Sequence, residues 1–180
     1  MTKRYAGVGN RKTPPHMLQL IKQIGYTLAL KGYTLSSGGC NGPDDVFEQG
    51  CDAGNGEKEI WLPWKGYNKK QSTLITNETH TDIAKEVHPA WTYLTQGTKK
   101  LMSRNVGEVL GEDGKSPVDF VVCYTEDGAE HYSQVTAKTG GTGFAILLAS
   151  RQGIPVFNLK NENALSRLKL FLNEYQIFED

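Results

Sequence analysis

Apolar and polar positions along this chain fall into two alternating rhythms. Short runs with the composition of strands are Tyr5–Gly9 (YAGVG), Tyr33–Ser36 (YTLS), Glu59–Trp64 (EIWLPW), Val118–Tyr124 (VDFVVCY) and Pro155–Leu159 (PVFNL). The fourth run is nearly continuous in apolar residues, as expected of a strand covered on both faces. Between the runs, apolar residues recur every three or four positions, the period of a helix with one buried face. Met17, Leu20, Ile21, Ile24 and Leu28 mark such a face on a helix from about Pro14; Pro14 and Pro15 suit its first turn and Gly32 its end. Leu94, Leu101, Val106 and Leu110 are the inward positions of a helix from about Trp91 to Leu110. Further helices are expected up to Cys51, from about Gly143 to Gln152, and at the C-terminus, where Leu165, Leu168, Leu170, Phe171 and Leu172 carry more apolar surface than one face needs.

Strands that alternate with helices imply a parallel sheet between two helical layers, joined by right-handed crossovers. The expected fold class is therefore α/β, a Rossmann-like three-layer sandwich with a mainly parallel sheet, as one domain over residues 1–180. Residues 65–90 are polar and lack a clear period, and are expected to form an irregular insertion or lid.

In such a sheet ligands bind beyond the carboxyl ends of the strands. Three turns at that edge are unusual: GVGNR after the first strand, SSGGCNGPDD after the second, and the stretch from TEDG through KTGGTG after the fourth. Gly38 and Gly39 admit backbone angles closed to other residues, and Gly42 with Pro43 opens a helix whose first N–H groups attract anions. TGGTG, Thr139 to Gly143, repeats that design before its own helix, with the Thr139 and Thr142 hydroxyls as added donors. Two glycine turns at one edge point to a phosphate-bearing ligand. Neither is a Walker loop, since no Lys-Ser or Lys-Thr follows, and GVGNRK lacks the third glycine of a dinucleotide fingerprint.

The candidate ligand and phosphate contacts are then Gly9, Asn10 and Arg11 from the first turn, and Ser37, Gly38, Gly39, Cys40, Asn41, Gly42 and Asp44 from the second. Arg104 and Asn105 come from the long helix, with Arg104 able to clamp phosphate through its planar guanidinium. Asp127 is a candidate acceptor for ribose hydroxyls, and Thr139, Gly140, Gly141, Thr142 and Gly143 complete the set. Each has a plainer reading: turn glycines, a solvated arginine, capping by Asp44, a turn aspartate at 127.

Composition narrows the function classes. Lysine plus arginine equal aspartate plus glutamate at 20 each, so the formal net charge is zero, which argues against a chain built to track nucleic-acid backbones. Cys40, Cys51 and Cys123 form no CxxC pair and are expected as free thiols in a reducing compartment. His16, His80, His88 and His131 match no zinc or triad spacing, so neither a metal nor a cofactor is expected. With no long apolar run and no signal-peptide core at its start, the chain is expected in the cytoplasm, without a membrane partner.

Taken together, GVGNRKTP, SSGGCNGPDD, LMSRN and TGGTGFAILLA followed by GIPVFNL resemble the SLOG superfamily of Rossmann-like proteins, and within it phage-encoded DprA-like proteins. That superfamily also holds the Lonely-Guy phosphoribohydrolases and nucleotide-sensing domains. In the phosphoribohydrolases a Met-x-x-Arg arginine matches Arg104, with Met102 displaced by one position, while a catalytic glutamate falls on Leu147 and a threonine on Phe144. The resemblance thus implies a nucleotide-derived small molecule as partner, held without cleavage and sequestered, with no catalytic residue. The alternatives it carries are single-stranded DNA binding, and N-glycoside hydrolysis or deoxyribosyl transfer with Asp44, Glu126 or Asp127 as the acid. It also implies a homodimer or higher homo-oligomer, and a host cytoplasm if the chain is phage-encoded.

Overall fold

A computed structural model describes residues 3–172. Six strands form one sheet in which every pairing is parallel. In chain order the strands are β1 (Arg4–Gly9), β2 (Thr34–Ser37), β3 (Lys58–Leu62), β4 (Leu74–Ile75), β5 (Phe120–Tyr124) and β6 (Val156–Asn158). The helices are α1 (Pro15–Leu30), α2 (Pro43–Ala53), α3 (Glu78–Val87), α4 (Gln96–Leu110), α5 (Thr142–Arg151) and α6 (Ala164–Phe171). Across the sheet the strands run β4-β3-β2-β1-β5-β6. The chain moves outward from β1 to β4, then returns through α4 to pair β5 with β1 on its free side. This is the α/β sandwich expected, with all pairings parallel.

The pleat sorts side chains between the two helical layers. Tyr5, Phe120, Val122, Tyr124 and Phe157 point into a core shared with α1, α2 and α6, whereas Ala6, Val8, Val121, Cys123 and Val156 point into one shared with α3, α4 and α5. Part of the apolar surplus of the last helix is accounted for locally: Phe171 meets the rings of Phe120 and Phe157, each with centroids 5.5 Å away.

Differences from the sequence reading lie in the middle. Residues 65–90, which showed no period, hold β4 and the ten-residue α3. Asn77 caps α3 by accepting the His80 N–H at 3.0 Å, while His80 Nδ1 accepts the Asn77 N–H at 3.3 Å. His80 is buried, and its other ring nitrogen lies 2.9 Å from the Gly111 carbonyl. A histidine in place of the usual Glu or Gln makes this capping box hard to see in sequence. The long helix starts at Gln96 rather than near Trp91, because Thr95 accepts the Thr98 N–H and so sets the first turn.

Helices α1 and α2 cross closely because glycine replaces a side chain on each. A Cβ at Gly25 would stand 2.8 Å from the Phe47 carbonyl oxygen, which is backbone and cannot rotate away. Gly25→Ala is therefore expected to lose about 1–3 kcal/mol in urea unfolding, strain outweighing the better helix propensity of alanine. The contrasting substitution is Gly97→Ala at the exposed start of α4, where a Cβ meets nothing within 4 Å; it should gain up to about 1 kcal/mol.

Candidate ligand-binding site

A cavity of about 390 Å³ opens at the carboxyl ends of β1 and β5. This is the point where strand order reverses, so the loops on either side diverge and leave a crevice. One wall is the turn after β1, Gly9 to Lys12; another is the start of α5 with Gly140, Gly141, Thr142 and Ala145. Cys40, Asp44 and Tyr67 close the side toward β2. The floor is a single stripe of α4. Leu101, Arg104, Asn105 and Glu108 recur at three- and four-residue intervals, and all four face the cavity.

Arg104, Glu108 and Asp44 are each about 95% buried or more, at 5%, 2% and 4% exposure. Arg104 Nε lies 2.7 Å from Glu108 Oε1, one helical turn away, and its Nη1 donates to the Gly38 carbonyl. The guanidinium also sits 5.9 Å from the centre of the Tyr67 ring and within 3.7 Å of Cys40 Sγ. Burial pushes the Glu108 carboxyl up to about 8 and the Asp44 carboxyl up to about 6, in both cases against the pull of Arg104. Burial also works against the charge on Arg104, but Glu108, Cys40 and Asp44 around it keep it protonated. One cation thus serves two desolvated acids, and the group retains a proton into the neutral range.

The first glycine turn does something other than the sequence suggested. The Gly38 and Cys40 N–H groups donate to Asp44 Oδ2 at 3.2 and 3.3 Å, so these amides face an internal carboxylate rather than a guest. Gly38 has to lack a side chain because the space a Cβ would fill is taken by Glu108 Oε1 and Arg104. Ser37 donates to the Gly7 carbonyl at 2.6 Å, and the Gly39 carbonyl accepts from Asn68 at 2.9 Å. Ser37, Gly38, Gly39, Asn41 and Gly42 therefore shape the turn without lining the cavity, while Cys40 and Asp44 line it.

The second turn keeps its donors. Gly140 takes a positive φ of 73°, and Gly143 N–H returns to the Gly140 carbonyl at 3.0 Å. Among the described residues, the N–H groups of Gly141 and Thr142 have no protein acceptor. They lie at the N-terminus of α5 on the cavity wall, where the helix dipole adds to their pull on an anion. Asn105 Nδ2 holds the Gly141 carbonyl at 3.3 Å, and Arg11 and Lys12 are exposed across the opening.

Thr139, Gly143 and Asp127 do not line the cavity. The Thr139 hydroxyl is buried and donates to Asp127 Oδ2 at 2.6 Å; Asp127 Oδ1 accepts from the Thr125 hydroxyl and the Ala129 N–H at 2.8 and 3.2 Å. Asp127 is thus engaged inside its own loop rather than offered to a ribose. Leu147 is half-buried against the core cluster and does not line the cavity, so its lack of a carboxyl removes nothing from the cavity wall. Of the three alternative acids, Asp44 lines the site and Glu126 and Asp127 do not. Sequence reasoning missed Lys12 and Tyr67 on the cavity wall and, above all, Glu108. Its signal was the four-residue spacing from Arg104, continuing the stripe from Leu101. No group of three or more His, Cys, Asp or Glu among the described residues is placed to hold a metal ion, and no described helix is long and apolar enough to cross a membrane.

The raised acids have a consequence for stability. Between its unfolded value near 4.5 and its folded value of about 8, Glu108 binds more proton in the folded chain than in the unfolded one. Its contribution is complete below that window and is lost as pH rises through it. The melting midpoint of the unliganded protein should fall from about pH 5 to about pH 8, and Glu108→Gln should flatten that decline.

No known sequence family matches the chain, and no curated protein matches it. Among solved structures it is similar to DNA processing protein A from Helicobacter pylori, described for that protein's unique mode of binding single-stranded DNA. The two align with a TM-score of 0.55 and 17% identity, over 96% of this chain and 74% of that one. At that identity the likeness establishes a shared Rossmann-like α/β fold.

Proposed function

We propose that this chain binds a nucleotide-derived, phosphorylated small molecule in the cavity at the ends of β1 and β5. The observation that carries this reading is the pair of unpartnered N–H groups at Gly141 and Thr142, on the same cavity wall as an α-helix N-terminus. Arg11 and Lys12 add positive charge across the opening. The apolar side chains of Val8, Leu101, Met102 and Ala145 offer a surface for a base or sugar. A volume of about 390 Å³ falls near the lower end of the roughly 300–1,000 Å³ usual for small-molecule sites, which suits one nucleotide better than a polymer.

Sequestration without turnover is one form of this reading. The buried acids favour a second, in which the bound nucleotide is cleaved at its N-glycosidic bond. General acid catalysis needs a carboxyl that still holds a proton near neutral pH, and Glu108, pushed up to about 8 by burial, has that property. Single-stranded DNA binding, described for the Helicobacter pylori protein, is the competing macromolecular reading.

One set of measurements separates them. Calorimetric titration with mononucleotides, ADP-ribose, cyclic nucleotides and a single-stranded oligonucleotide should give at least one small ligand bound below tens of micromolar. Chromatography of that mixture then reports an intact nucleotide for sequestration, or free base for cleavage. Gly141→Pro should weaken the same nucleotide about tenfold or more, because it deletes one charge-assisted donor. Gly141 has φ −61° and room for a Cβ, so proline fits its backbone and the melting midpoint should hold. Binding of the oligonucleotide alone, with no small ligand retained, would overturn the proposal.

A further inference from the structure

Residues 125–141 join β5 to α5, and their last three positions shape the wall that carries the free N–H groups. A connection of that length has no regular ladder to hold it, yet the donors at Gly141 and Thr142 are useful only if they point together. What fixes them is a polar network behind the cavity. The Thr139 hydroxyl donates to Asp127 Oδ2 at 2.6 Å and accepts the Thr136 N–H at 2.9 Å. Asp127 itself is tied to Thr125 at 2.8 Å. Thr125 is anchored to the sheet in turn: Asn158 of β6 donates to its hydroxyl at 2.6 Å, and the Thr125 N–H donates back to Asn158 Oδ1 at 3.2 Å.

We infer that Asp127 is a positioning residue, which acts through Thr139 to hold the turn at Gly140 so that the Gly141 and Thr142 N–H groups converge on a phosphate. This rests on the binding reading above and goes beyond it, since Asp127 touches no ligand. The chemistry requires a carboxylate. Asp127 accepts three donors at once, from Thr125, Ala129 and Thr139, and an ionised carboxyl is an acceptor at both oxygens. Asparagine accepts at one oxygen and presents an N–H₂ group on the other side. Thr139 could receive that group only on its second lone pair, which would strip its own buried hydroxyl proton of the acceptor that Asp127 now provides. Burial favours the protonated acid, but the hydrogen bonds from Thr139, Thr125 and Ala129 outweigh it and hold Asp127 below the usual carboxylate range. The clamp is therefore closed throughout the neutral range.

The test uses inorganic phosphate, which needs no base or sugar, added to the full chain at pH 7.5 against sodium chloride of equal ionic strength. Amide proton–nitrogen correlation spectra should show the Gly141 and Thr142 resonances moving with phosphate and not with chloride. In Asp127→Asn the phosphate concentration for half the shift should rise about tenfold. A role in stability alone would lower the melting midpoint but leave the phosphate response of the folded protein unchanged. Thr139→Val and Thr139→Ser keep the inference testable should Asp127→Asn not fold: valine should weaken the response as the asparagine does, and serine, which retains the hydroxyl, should restore it. Wild-type affinity in Asp127→Asn or Thr139→Val would overturn the inference and leave the binding reading standing. Silence of Gly141 and Thr142 in the unaltered chain would overturn both.

Discussion

Arg104 is the group around which the site is assembled. A guanidinium buried at 5% exposure is costly unless its donors are occupied and its charge is met. Glu108, one turn on along the same helix, and Asp44 meet that charge between them, and Gly38 supplies a carbonyl from the turn after β2. That second contact ties α4 to the turn after β2, and it explains why the turn must contain a glycine at 38: the guanidinium and carboxylate occupy the place of a side chain. Asp44 completes the arrangement by taking the turn's inward amides. The glycine-rich stretch is thus built to accommodate a buried arginine and the acid beside it. Ser36 reinforces the tie by donating to the Glu108 carbonyl at 2.7 Å.

The site consequently has two ends with different physics. Toward α4 it is a desolvated acid–base cluster, short of one positive charge and retaining a proton near neutrality. Toward α5 it is a set of backbone donors with no partner among the described residues, open to an anion. A phosphate would be repelled by ionised Asp44 and Glu108 if it lay against the floor, whereas at the α5 terminus it meets N–H groups and the positive end of a helix. The remaining acids of α2 do not add to that repulsion. Asp45 and Glu48 are paired with Lys70 at 2.7 and 2.9 Å, and Glu48 and Asp52 with Lys58 at 2.9 and 2.7 Å.

Much of the architecture was legible because the period of apolar positions reports directly which faces are covered. The strand–helix alternation and the turns at the carboxyl edge follow from it, as does the α/β sandwich. α3 escaped because its buried positions are few, Ala84 and His80, and because its cap uses a histidine. In the site, sequence could name Arg104, Asn105, Asp44 and the glycines, since each belongs to a local motif. It could not say which way the Gly38 and Cys40 amides turn, because that depends on Asp44 folding back from the first turn of α2. Nor could it distinguish Asp127 as a loop clamp from Asp127 as a ligand contact: both uses require an aspartate in a turn after a strand, and only the position of Thr139, twelve residues later, separates them.

Neither the overall charge nor the residue at 147 describes the cavity itself. Zero net charge describes the whole chain, but the cavity is lined by Arg11, Lys12 and Arg104 against Asp44 and Glu108, three cations to two acids, and a proton retained by either acid widens the difference. A neutral protein can therefore present a positive pocket, and what matters for an anion within a few ångströms is the local sum, since distant surface charges are screened over about a Debye length, roughly 8–10 Å. The leucine at 147 does not exclude acid chemistry, for a different reason. A missing carboxylate argues against acid chemistry only if its position faces the ligand and no other acid does. Leu147 lies off the cavity, half-buried against the core, while Glu108 and Asp44 reach the cavity from α4 and α2. Were a nucleotide bound there, the group able to hand it a proton would be Glu108, on a different helix from the one whose sequence first suggested an answer.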